Sequence, residues 1–150
     1  MRSWRSVFVL VWMCAACSLA EARQLAVVTD AANTVLNLSS ADLIKMFTLH
    51  TRNWPDGKAI TIVVRDLASS DMDLVLRKLL NMTLEQGHAF IQAHKGSILV
   101  AGSDDAVIRF VANNRGAIGI IDLYSLTKDV NVLKIDGKLP VEQGYLLRGR

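Results

Sequence analysis

From residue 25 onward the chain alternates short, continuous apolar runs with longer stretches in which apolar positions recur every three or four residues. The runs, most of them bounded by Gly, Asp or Asn, predict strands over residues 25–29, 60–64, 98–101, 117–121 and 132–135. Continuous rather than alternating hydrophobicity marks strands covered on both faces. The clearest helical pattern spans 70–81, where Met72, Val75, Leu76, Leu79 and Leu80 form an amphipathic stripe and Asp71, Asp73, Arg77 and Lys78 fall on the wet side.

Start signals mark the other helices. Ser39 with Asp42 resembles a capping box opening a helix through Phe47, and Thr83 with Gln86 is the box proper. Ser103 precedes Asp104 and Asp105, whose charges suit the positive end of a helix running to Asn113 with Val107, Phe110 and Val111 on its buried face. Gly116 suits a left-handed stop, and Trp54-Pro55-Asp56-Gly57 reads as a turn before the second strand. Strands alternating with helices predict an α/β domain, a mixed or mostly parallel sheet flanked by helices. Ligands of such sheets sit beyond the carboxyl ends of strands, which points to Thr29-Asp30, Arg65-Asp66 and Gly102-Ser103.

The first 22 residues read differently. Arg2 and Arg5 form a basic head, Val7 to Cys17 an apolar run, and Ala20-Glu21-Ala22 a small-x-small cleavage signal. This is the pattern of a secretory signal peptide, leaving a domain over 23–150. The uncharged stretch from Ser6 to Ala20 has 15 residues, short of the roughly 20 that a spanning helix needs. Both cysteines, Cys14 and Cys17, lie in this leader, so a C-x-x-C redox pair is the weaker reading, and lipid anchoring at Cys17 is the alternative to cleavage after Ala22. Cleavage there leaves 128 residues without a thiol, enough to bury a core without a disulfide.

Charge and composition then exclude several functions. Of 17 basic and 14 acidic residues, Arg2, Arg5 and Glu21 belong to the leader, so the remainder carries 15 and 13. That balance, with basic residues scattered and Trp54 the one tryptophan after the leader, is no footprint for nucleic acid. His50, His88 and His94 form no metal-ligating spacing, and no cofactor motif is present. Nor is there a G-x-S-x-G elbow or a serine paired with an identifiable histidine and acid, so the chain reads as a non-enzyme.

Three segments, in order, carry a resemblance. Leu38-Ser39-Ser40-Ala41-Asp42-Leu43-Ile44-Lys45-Met46-Phe47 with Asn53-Trp54, then Ile62-Val63-Val64-Arg65-Asp66 with Ser69-Ser70, then Gly102-Ser103-Asp104-Asp105-Ala106-Val107 through Asn113-Asn114-Arg115-Gly116-Ala117-Ile118-Gly119-Ile120 resemble bacterial phosphate-binding proteins, the periplasmic components of phosphate ABC transporters. The resemblance runs from about Leu25 to Leu133 and implies one lobe of a type II periplasmic-binding-protein-like fold. In the family the middle segment reads Arg-x-x-x-Ser-Gly-Thr and supplies half of the phosphate site. Position by position, Arg65 matches the Arg, Ser69 the Ser, Ser70 the Gly and Asp71 the Thr.

The chemistry of that segment stands apart from the name. Serines between a strand and a helix aim N–H groups and hydroxyls at one point, the helix dipole favours negative charge there, and Arg65 adds a planar donor fork suited to a tetrahedral oxyanion. Asp71 replaces a hydroxyl donor with a carboxylate, which repels an anion unless it turns away to cap the helix. The resulting expectation is a periplasmic protein binding phosphate or a related oxyanion through Arg65, Ser69, Ser70, Asp71, Ser103 and Thr29, in company with a membrane transporter. Bland roles stand beside these: an ion pair of Arg65 with Asp66 or Asp30, and simple N-capping by Ser69, Ser70 and Ser103. The alternative function is a lobe that binds an envelope protein and no small ligand. The sequence leaves the oligomeric state open.

Overall fold

A computed structural model describes residues 23–149; the leader, with Cys14 and Cys17, lies outside the described residues. In chain order the elements are β1 (Arg23–Asp30), β2 (Asn37–Leu38), α1 (Ser40–Phe47), β3 (Thr61–Arg65), a 3-10 turn (Ser70–Met72), α2 (Asp73–Val75), a π turn (Leu76–Leu80) and α3 (Leu84–Ala93). Then follow β4 (Ile98–Ala101), α4 (Asp104–Asn113), β5 (Ala117–Asp122), a 3-10 turn (Leu123–Ser125), β6 (Val130–Val132), β7 (Lys134–Ile135) and β8 (Arg148–Gly149).

The main sheet has the order β4-β3-β5-β1-β6, with β8 pairing β1. Strand β3 runs parallel to β4 and β5, whereas β1 is antiparallel to β5, β6 and β8. The sheet is therefore mixed, with helices on both sides. Alternate residues of each central strand enter different cores, which is why their hydrophobicity is continuous. On one face Leu25, Val27, Ile62, Val64, Ile118 and Ile120 pack against α1, the 70–80 segment and α3 through Leu43, Phe47, Met72, Val75, Leu79 and Ile91. On the other, Ala26, Val28, Val63, Ala117 and Ile121 pack against Val107, Ile108 and Val111 of α4.

The caps form as their residues dictate. Ser39 accepts from the Asp42 N–H at 3.0 Å and Ser103 from that of Ala106 at 3.1 Å. Thr83 and Gln86 complete a reciprocal box, with bonds of 3.0 and 3.2 Å. In the Trp54 turn the Gly57 N–H donates to the Trp54 carbonyl at 2.8 Å. The buried Trp54 ring donates from Nε1 to the Gly116 carbonyl at 2.9 Å, so this turn locks onto the start of β5. Gly116 has φ +86°, and a Cβ there would lie 2.5 Å from the Ala59 carbonyl oxygen, so only glycine fits.

Two elements differ from the sequence expectation. The helix expected over 70–81 is a composite of 3-10, α and π turns, closed by Asn81 in the left-handed conformation at φ +51°. Its predicted stripe is buried, but Leu74 is buried as well, giving a broader apolar face than an i, i+3, i+4 stripe provides. The strand expected over 132–135 is split: β6 joins the main sheet, while β7 pairs with β2 in a separate parallel ribbon. Leu133, fully buried between them, donates its N–H to the Val27 carbonyl at 2.9 Å as the chain crosses from one ribbon to the other.

Candidate functional site

Because β3, β4 and β5 are parallel, their carboxyl ends share one edge of the sheet. Arg65 closes β3 there, opposite Ala101 of β4, and Gly102-Ser103 follows directly into α4. Antiparallel β1 brings its beginning, Arg23, to the same edge, since Leu25 pairs with Asp122 at the end of β5. Four charged side chains, Arg23, Arg65, Asp71 and Asp104, from two strand ends and two helix starts thus come together.

Asp71 sits at the centre of this cluster. Its Oδ1 accepts from Arg23 Nη1 at 2.6 Å and its Oδ2 from Arg65 Nη1 at 3.1 Å. Arg65 Nη1 also lies 3.5 Å from Asp104 Oδ1. Asp104 is fixed from the other side, accepting from Ser125 Oγ at 2.6 Å and from the Asp122 N–H at 3.3 Å. Side-chain exposures of 26% for Arg65, 29% for Asp71 and 12% for Asp104 make these charge-assisted bonds partly desolvated, and so stronger than pairs standing in open water. Asp71 does not turn away to cap the helix; it lies against the guanidinium groups.

The serines have other engagements. Asp66 opens the loop by accepting from the Ala68 N–H at 2.9 Å, and Ser69 closes it, donating from both Oγ (2.7 Å) and N–H (2.9 Å) to the Asp66 carbonyl. That Ala68 bond, with His88 at 3.5 Å as a lesser contribution, holds the exposed Asp66 carboxyl below the usual range. The Ser69 side chain caps nothing, although its carbonyl receives the Met72 N–H at 3.0 Å. Ser70 is exposed beside it. Ser103 is exposed as well and caps α4. A groove of about 440 Å³ runs past Arg23, Ser69 and Ser70 and continues between Asp73, Arg77, Leu74 and Leu84.

Thr29 is a correction. The antiparallel direction of β1 sends Thr29-Asp30 to the opposite end of the sheet, where Thr29 pairs with Ile118, itself opposite Ile62 near the start of β3. Thr29 is fully buried. Asp30 accepts from the Gly116 N–H and the Ala32 N–H, both at 3.1 Å, and so is no partner for Arg65. Asp66, bound up in its own loop, is not the partner either; Asp71 and Asp104 are.

Arg23 and Asp104 are the residues that sequence reasoning missed. Arg23 stands 42 positions from Arg65 and only strand direction joins them. Asp104 carried a signal, as an acidic first-turn residue, but for the helix dipole rather than for Arg65. Among the described residues no group of three or more His, Cys, Asp or Glu could hold a metal ion, and no helix is long and apolar enough to cross a membrane.

No protein-family model matches the chain, and no curated protein matches it in sequence. Solved structures do match it. The ABC-type phosphate transport receptor from Vibrio cholerae aligns at TM-score 0.64 and 20% identity, over 85% of this chain and 54% of that one. PstS from Borrelia burgdorferi aligns at TM-score 0.68 and 20% identity, over 86% and 55% respectively. The phosphate-binding protein from Stenotrophomonas maltophilia aligns at TM-score 0.64 and 15% identity, over 79% and 40%. The present chain thus spans about half the length of the structures it matches. At these identities the likeness is one of fold: the chain is folded as a single lobe of the phosphate-receptor type.

Proposed function

We propose that this protein is an exported, non-enzymatic lobe that recognises phosphate or a related small oxyanion at the carboxyl edge of its sheet and works beside a membrane transporter of the ABC type. One observation carries the reading: guanidinium groups from two strands, Arg23 and Arg65, converge on a single anionic group next to the Ser69-Ser70 turn, on a fold shared with phosphate transport receptors. Two cationic forks and an exposed serine form a donor set suited to a tetrahedral anion, and a groove of about 440 Å³, lined by Arg23, Ser69 and Ser70 but not by Arg65, opens beside them. On this lobe by itself an anion is cupped rather than enclosed, so water competes for its donors. Export rests on the leader pattern of residues 1–22, and sequencing the amino terminus of the envelope-localised protein should return Arg23.

Isothermal titration of the purified protein with phosphate and sulfate tests the binding reading. Saturable heat that disappears in Arg65→Ala is expected; no heat with any oxyanion, or equal binding by the variant, overturns it. A second reading is favoured by Asp71, which already pairs with both guanidinium groups. In it the lobe docks on an envelope protein and takes no small ligand. A stoichiometric partner captured from envelope extract, independent of phosphate, would select this reading.

A further inference from the structure

We propose that Asp71 is a tethered competitor: an anion built into the chain that holds Arg23 and Arg65 and must be displaced before a dissolved oxyanion can use them. The inference rests on the oxyanion reading above and adds what regulates that site. Each Asp71 oxygen takes one guanidinium, Oδ1 that of Arg23 at 2.6 Å and Oδ2 that of Arg65 at 3.1 Å. Two oxygens of one phosphate would engage the same pair in the same way. Asp104, the other acid of the cluster, differs in kind. Ser125 Oγ and the Asp122 N–H grip it at 2.6 and 3.3 Å, and it is 12% exposed, so it belongs to the scaffold.

Asp71 has no partner among the described residues besides the two arginines, and its side chain is 29% exposed. It can therefore swing out without leaving a buried charge unpaired. A group tethered this close competes at an effective concentration of mM or more, which lowers the apparent affinity of any free anion by the factor with which the tether occupies the site. The charge count agrees. Arg23 and Arg65 are balanced by Asp71 and Asp104, so the site is neutral with the tether in and carries one net positive charge with it removed.

Titrating inorganic phosphate into the wild type, Asp71→Asn, Asp71→Ser and Arg65→Gln/Asp71→Asn tests this. Asparagine keeps the size of the side chain and removes its charge. The expected result is affinity at least tenfold tighter in Asp71→Asn or Asp71→Ser than in the wild type, and lost when Arg65 is also replaced. Asp56→Asn is the control, because it changes net charge equally while its partner is Lys58, at 3.5 Å, in the turn before β3 and away from Arg65 and the groove. An equal gain in Asp56→Asn makes the effect one of general charge and overturns the proposal. Wild type and Asp71 variants agreeing within twofold overturns it while leaving the oxyanion reading intact. Silence from every folded variant removes both. A silent wild type beside a binding Asp71→Asn supports the tether's hold on the two arginines and overturns the oxyanion reading of the native site.

Discussion

Gly119→Ala tests how closely α4 sits on the sheet, because two effects of the change oppose each other. Gly119 lies in β5 with no positive φ, so alanine there, by restricting the unfolded chain, should stabilise by about 0.4–1 kcal/mol. Against this, a Cβ at 119 would lie 2.6 Å from Val107 Cγ1 and 3.0 Å from Val111 Cγ2. Carbon atoms pack best at roughly 3.5–4.0 Å. Both valines are fully buried, and a helical valine has essentially one rotamer, so neither can swing aside. Relief requires α4 itself to lift by roughly an ångström from a close-packed interface, an overpacking cost of about 1–3 kcal/mol. Taking the middle of each range, about 2 against about 0.7, the steric effect wins by roughly 1.3 kcal/mol. For a domain of this size the melting temperature should fall by roughly 2–10 °C. Calorimetry or thermal circular dichroism reads it, and the double variant Gly119→Ala/Val107→Ala should lose less than the sum of its single changes. A melting point unchanged or raised in Gly119→Ala, or strict additivity in the cycle, would refute the argued fit. The outcome also bears on the site, since α4 carries Ser103 and Asp104 to it.

Trp54→Phe keeps a ring in the core but removes the Nε1 bond of 2.9 Å to the Gly116 carbonyl, which then keeps the Thr61 N–H at 3.3 Å as its donor. We expect a loss of about 0.5–1.5 kcal/mol, seen as a lower denaturant midpoint at unchanged m. Asp136 accepts from Ser40, both from Oγ and from the N–H at 2.8 Å, and these bonds hold its carboxyl below the ordinary value of 3.8. That stabilisation is complete above pH 3.8 and is lost as pH falls through the lower folded value. Asp136→Asn, which tolerates the same left-handed backbone, should therefore show a shallower fall of melting temperature with acidification; parallel curves would exclude the role.

Much of the fold follows from local physics written in the chain. Continuous apolar runs located the central strands, because a strand covered on both sides cannot afford polar positions on either face. Ser39, Thr83 and Ser103 marked helix starts, because a hydroxyl that satisfies an orphan N–H needs only its own next few residues. The Ser69-Ser70 loop beyond Arg65 was legible as the turn from strand into the next helical segment, for the same local reason.

Strand direction was not legible, and it decided the site. With β1 antiparallel to β5, Thr29 leaves the edge that Arg65 occupies and Arg23 arrives there. No periodicity records which way a buried strand runs, since its side chains alternate identically in both directions. The two-residue pairings of β2 with β7 and of β1 with β8 depend on partners distant in sequence. The orientation of Asp71 was equally tertiary. As a first-turn acid it suits a helix cap, but two guanidinium groups, one from each of two strand ends, outbid the backbone N–H groups for its carboxylate. The sequence determined what each segment is; the packed sheet determined which segments meet, because charge pairs form between ends that topology brings together.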